Sequence, residues 1–119
     1  MLQHEASVYN QLQPAQGRVV PRMICHGPGV DDRGYYIATQ LIHGHTFHVS
    51  SLSQVVRDTA LEALRVVHSL GVVHGDLREA NILVDSGKVW LIDFSHASMG
   101  ADKHLMAMEE AFMRAWCLA

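Results

Sequence analysis

Residues 72 to 94, VVHGDLREANILVDSGKVWLIDF, hold two short apolar runs joined by the tight turn Asp85-Ser86-Gly87-Lys88. Runs this short, bounded by turn residues, predict strands near Ile82–Val84 and Val89–Ile92 in an antiparallel hairpin. Polar groups stand at the strand ends: His74, Asp76 and Asn81 precede the first run, and Asp93 follows the second. A hairpin brings the beginning of one strand beside the end of the next. Asn81 and Asp93 are therefore expected to approach one another.

Around this hairpin the periodicity alternates. MLQHEASVYNQLQP places Leu2, Glu5, Tyr9 and Leu12 on one helical stripe that Pro14 closes. RVVPRMICHG and YYIATQLI read as two strands on either side of GPGVDDRG, so residues 18 to 42 form a predicted second hairpin. Pro21 puts the first of these strands at an edge or makes it irregular. HGHTFHVSS is read as a polar connector.

The longest helical signal runs from about Leu52 to Leu70. Its apolar stripe is Leu52, Val55, Val56, Ala60, Ala63, Leu64, Val67 and Leu70, and Gly71 stops it. A last helix is expected from roughly Ala101 to Cys117, with Met106, Met108 and Met113 as core residues. The order helix, hairpin, long helix, hairpin, helix is an α+β pattern.

The chain of 119 residues is the size of one domain. A net charge of −3 gives no reason to expect nucleic acid or an anionic membrane as partner, and no apolar run approaches the length of a membrane span. Cys25 and Cys117 lie far apart with no signal-peptide pattern. That combination predicts an intracellular, cytoplasmic setting with both thiols buried and unbridged. His43, His45 and His48 form a histidine-rich stretch; with no carboxylate or thiolate nearby it is read as polar connector in preference to a metal site.

A carboxylate just after a helix-to-loop transition, such as Asp76, can accept a proton from a hydroxyl. An amide and a second carboxylate, Asn81 and Asp93, can ligate a hard cation through oxygen. Together they suit metal-assisted phosphoryl transfer. Taken singly, Asp76 reads as a turn cap and Asp93 as a strand terminator in preference to the chemical roles; the combination reverses that.

HGDLREAN resembles the catalytic loop of the protein kinase-like superfamily, and LIDFS resembles its metal-binding segment, at the expected separation. The form HGD is similar to that of aminoglycoside phosphotransferase-like and atypical members. The resemblance implies a partial protein kinase-like fold with ATP and Mg²⁺ as cofactors. In it, 1–42 is a remnant of the small lobe, 43–50 the hinge and 51–119 the large-lobe core. It implies Asp76 as catalytic base and Arg78 as a basic residue facing the transferred phosphate. Asn81 and Asp93 are implied as metal ligands that bind the nucleotide through the ion, and His74 as a structural histidine. Glu5 matches the glutamate that pairs with a phosphate-anchoring lysine.

Departures from the pattern set further expectations. Gly75 replaces the arginine that receives an activation-loop phosphate, so control of that kind is not expected. Ser95 replaces a glycine. A glycine-rich loop and anchoring lysine are missing, since Lys88 and Lys103 are the sole lysines and stand elsewhere. Gly27-Pro28-Gly29, followed by Asp31 and Asp32, reads as a turn and not as a phosphate loop. Two functions follow as expectations: a truncated, weakly active or inactive phosphotransferase acting on a protein or small-molecule hydroxyl, or a non-catalytic, pseudokinase-like binding module.

Overall fold

The structure, a computed structural model, describes residues 2–46 and 53–118. Helix α1 spans Leu2–Gln11 and passes into a 3-10 turn, Gln13–Ala15, with Pro14 inside it. Proline lacks the amide that a continuing α-helix needs, so the helix stops where the sequence predicts. Val8, Tyr9 and Leu12 are buried on its inner face, and Glu5 is half-buried on the same stripe.

The first hairpin is β1 (Met23–Pro28) against β2 (Tyr35–Thr39), antiparallel, with a register shift between Met23 and Cys25. Strand β1 begins after Pro21, not at Arg18. Residues 17–20 instead form a turn in which the Gly17 amide donates to the Val20 carbonyl. Cys25 is exposed, which corrects the expectation of a buried thiol: its strand belongs to a two-stranded sheet with one open face. The side chain of Cys117 lies outside the described residues.

The second sheet has three strands in the order β3–β4–β5: β3 (His45–Thr46), β4 (Ile82–Asp85) and β5 (Lys88–Leu91). The hairpin β4–β5 pairs Ile82 with Leu91 and Asp85 with Lys88, close to the predicted register. Strand β3 corrects the reading of a polar connector: His45 and Thr46 pair with Val84 and Leu83. Gly44 permits this approach, because a Cβ there would meet the Val84 carbonyl oxygen at 2.6 Å. On the far side, the Leu91 amide donates to the Val19 carbonyl at 2.7 Å, so β5 is also covered. His48 and Leu52 lie outside the described residues.

Helix α2 spans Gln54–Ser69, and its Ser53 side chain accepts the Val56 amide as an N-cap. Ala60, Ala63, Leu64 and Val67 face the core, whereas Val55, placed on the stripe by periodicity, is exposed at the first turn. Helix α3 spans Lys103–Leu118, capped by Asp102, whose Oδ1 accepts the His104 and Leu105 amides. Of the three methionines assigned to its core face, Met113 is fully buried, Met106 is half-buried and Met108 is exposed. One core joins α1, α2, β4, β5 and Met113 of α3. The result is an α+β arrangement matching part of a kinase-like fold, with the loops at residues 72–81 and 92–98 held between α1 and α3.

Candidate active site

Three constraints shape the loop after α2. Gly71, at φ +82, ends the helix in the left-handed region. Val73 and Ser98 then exchange backbone hydrogen bonds at 2.9 and 3.0 Å, which lays residues 73–75 beside 96–98. At Gly75 the two segments touch. Its φ is +86, and a Cβ would lie 2.1 Å from the His96 carbonyl oxygen. Glycine is the residue that fits there.

From below, Glu109 of α3 holds the same loop. Its carboxylate accepts the His74 amide at 3.1 Å, the Gly75 amide at 2.8 Å and His68 Nε2 of α2 at 2.8 Å. Burial alone pushes the Glu109 carboxyl up, but these donors outweigh it and hold it below its ordinary range. Sequence reasoning missed Glu109. The signal was present: Met106, Glu109, Glu110 and Met113 follow the spacing of an inward helical stripe, so a glutamate on the stripe that ends in the buried Met113 needed partners.

His74 is fully buried and has a fixed tautomer. Its Nδ1 accepts the Asp76 amide at 3.2 Å, so the ring proton is on Nε2, which donates to the Ile92 carbonyl at 2.8 Å. Burial lowers its pKa, in keeping with a neutral ring. The ring also packs at 4.8 Å from Phe94, which Tyr9 meets edge-on at 5.7 Å. Its contacts are those of a structural histidine joining the two loops.

The loop leads into Asp76 and Asn81, which meet directly. Asn81 is buried, and its Nδ2 donates to the Asp76 carbonyl at 2.9 Å and to Asp76 Oδ2 at 3.2 Å. A 3-10 turn, Glu79–Asn81, and the Asn81 carbonyl, which accepts the Ile92 amide at 3.0 Å, fix its place at the start of β4. The Arg78 guanidinium is exposed, with Nε 3.5 Å from Asp76 Oδ2.

On the neighbouring segment Asp93 adopts φ +60, an uncommon conformation for a non-glycine residue. Its Oδ1 accepts the Ser95 hydroxyl at 2.7 Å and the Ser95 amide at 3.3 Å. The hydroxyl is the main reason its carboxyl lies below the ordinary range. Ser95, which replaces a glycine of the kinase pattern, is thus a hydrogen-bond donor to Asp93. The next amide, Phe94, donates to Glu5 Oε2 at 3.1 Å. Glu5 is pushed above its ordinary pKa, first by burial and further by the Asp93 charge.

Glu5 and Asp93 line a cavity of about 530 Å³. Its walls come from α1 (Tyr9), β2 (Ile37), the segment after β2 (Leu41, Ile42) and the second sheet (Leu83). The structure therefore joins Asp76, Asn81 and Arg78 in one contact set, and Glu5 and Asp93 around Phe94. Lys88 lies elsewhere, over the Trp90 ring at 4.2 Å and bonded to the Gly17 carbonyl. Among the described residues no three His, Cys, Asp or Glu side chains cluster as metal ligands, and His43 and His45 form no such group. Nor is any described helix long and apolar enough to cross a membrane.

A loop and hairpin of this kind, bonded through the Phe94 amide to a glutamate-bearing helix and packed on the long helix α2, define a kinase-like core. Residues 34–113, about two thirds of the chain, match the RIO domain, and the chain belongs to that family of atypical protein kinase-like proteins. It is 34% identical over 107 residues to the meiotic driver SPOK2 of Podospora anserina, covering 82% of this chain and 14% of that protein. It is 32% identical over 96 residues to the KEOPS complex subunit Bud32 of Pyrococcus abyssi, covering 67% of this chain and 43% of the relative. Over 38 residues it is 47% identical to the dual specificity protein kinase Ttk of Danio rerio, covering 32% of this chain and 4% of that one. The chain spans less than half the length of each of these relatives.

Proposed function

We propose that this chain is the core of a phosphotransferase that uses ATP with Mg²⁺ and transfers to a hydroxyl acceptor. The observation that carries the reading is the contact between Asp76 and Asn81, whose carbonyl holds the Ile92 amide next to Asp93 in the wall of a cavity that Glu5 also lines. In this reading residues 1–42 supply the small-lobe side of the cavity, 43–50 the hinge and 51–119 the large-lobe core. The apolar walls at Ile37, Leu41, Ile42 and Leu83 suit a nucleotide base. Asp76 accepts the proton of the acceptor hydroxyl, and the exposed Arg78 faces the transferred phosphate.

The donors fit Mg²⁺ by their chemistry. Asp93 offers a carboxylate held in its ionised form, and Asn81 offers an amide oxygen, because its Nδ2 is committed to Asp76. Hard oxygen donors of this number match an ion that also takes phosphate oxygens as ligands. When bound, the ion neutralises phosphate charge. The residues of the chain hold the nucleotide, orient the hydroxyl and receive its proton.

A binding-module reading, free of catalysis, is favoured by one observation: among the described residues no lysine lines the cavity. Transfer from radiolabelled ATP separates the two. The phosphotransferase reading predicts label transfer or hydrolysis that Asp76→Asn abolishes. Nucleotide binding with turnover unaffected by Asp76→Asn contradicts it.

A further inference from the structure

His96 has no part in the roles above, yet it sits where the two halves of the site join. Its Nδ1 lies 3.3 Å from Ser95 Oγ and 3.8 Å from Asp76 Oδ2. Its backbone carbonyl is the atom that requires glycine at position 75. The side chain is 60% exposed and lines a second cavity of about 420 Å³, together with Gly75 and Leu77, the residues on either side of Asp76.

The position of one proton follows from these distances. A serine hydroxyl has a single proton, and that of Ser95 goes to Asp93 Oδ1 at 2.7 Å. Between Ser95 Oγ and His96 Nδ1, the ring must therefore be the donor. His96 carries its proton on Nδ1, and the same N–H faces the Asp76 carboxylate. Asp76 Oδ2 then faces Asn81 Nδ2 at 3.2 Å, Arg78 Nε at 3.5 Å and His96 Nδ1 at 3.8 Å; in the phosphotransferase reading this leaves Oδ1 to receive the acceptor proton.

We propose that His96 is a positioning residue of the transfer site: its Nδ1–H donates to Ser95 Oγ, the donor to Asp93, and faces the proton-accepting Asp76 carboxylate at 3.8 Å, so that it orients Asp76 relative to Asp93. It fixes Asp76 against the side from which Gly75, Leu77 and the second cavity open to the acceptor. The role rests on the phosphotransferase reading; the contact itself does not. An exposed surface histidine with no such task has no reason to hold its proton on Nδ1.

Long-range ¹H–¹⁵N correlation spectra of the whole chain test the contact. The expected pattern is a His96 ring protonated at Nδ1 whose resonances move in both Asp76→Asn and Ser95→Ala. A neutral ring protonated at Nε2, or resonances indifferent to both substitutions, overturns the proposal. Transfer kinetics test the role: His96→Ala lowers kcat by about tenfold or more with KM for ATP changed by less than about twofold, and His96→Gln recovers most of the loss. Unchanged kcat in His96→Ala, or a wild-type chain that binds Mg-ATP and transfers nothing, overturns the role. A wild-type chain that binds no nucleotide overturns the underlying function instead, and the spectra still decide the contact.

Discussion

The Glu5 carboxylate accepts the Phe94 amide at 3.1 Å across 89 residues of sequence. One hydrogen bond thus joins α1 to the segment that carries Asp93, and makes the position of the aspartate depend on the helix. The bond also keeps a half-buried carboxylate beside Asp93, which raises the Glu5 pKa.

A raised carboxyl pKa has a defined sign in stability. Folded Glu5 binds its proton more tightly than unfolded Glu5, whose ordinary value is 4.5. Its contribution is therefore fully present below that value and is lost as pH rises through the raised one. Glu5→Gln keeps an acceptor for Phe94 and removes the titration. Urea unfolding across pH should show the stability of Glu5→Gln rising relative to wild type as pH increases through this window. Glu5→Ala, which leaves the Phe94 amide without this acceptor, should be less stable than Glu5→Gln by about 1–2 kcal/mol.

Glu109 behaves in the opposite way. Despite burial, its donors His68, Gly75 and His74 hold its pKa below the ordinary 4.5. Its stabilisation is present above that value and is lost as pH falls through the lowered one. Glu109→Gln should cost about 2–4 kcal/mol at neutral pH, since two backbone amides and His68 lose a charged partner. Denaturant titration at neutral and acidic pH checks both points: the gap between variant and wild type should narrow as pH falls.

Gly75→Ala should destabilise the chain by more than about 2 kcal/mol, because a positive φ and a backbone clash act together. The Cβ cannot remain 2.1 Å from the His96 carbonyl, so the 73–75 and 96–98 segments must separate. Amide exchange should accelerate at Val73 and Ser98, whose mutual hydrogen bonds hold the pair. Unchanged protection at both amides contradicts the account.

Ser95→Ala should raise the Asp93 pKa toward its ordinary 3.8, since the Ser95 hydroxyl is the largest cause of its depression. Carboxyl-carbon chemical shifts followed through an acid titration measure this directly. The Ser95 amide remains as a donor, so part of the depression should survive.

Much of the fold was legible because apolar spacing, prolines and glycines carry local information. The α1 stop at Pro14, the α2 stop at Gly71 and the β4–β5 register follow from such signals. Strand β3 was not legible: His45 and Thr46 have no strand pattern and pair because Gly44 admits the Val84 backbone. Val55 misled by sitting on a stripe at a helix end, where the core no longer reaches. In the site, Asp76, Asn81 and Asp93 could be named from the turn-bounded hairpin and its resemblance to kinases. Glu109 offered only its place on the inward stripe of α3, and His96 no signal at all, because their contacts are with backbone and side chains that only the folded chain brings close.

The measurement that bears most directly on the central claim is calorimetric titration of the whole chain with ATP, with and without Mg²⁺, in wild type, Asp93→Ala and Asn81→Ala. The account predicts that Mg²⁺ strengthens ATP binding in the wild type and that Asp93→Ala removes this dependence. Asn81→Ala should weaken it less, since a neutral amide oxygen holds a dication less strongly than a carboxylate. ATP binding of equal strength and equal Mg²⁺ dependence in wild type and Asp93→Ala, or no binding in the wild type, would contradict it.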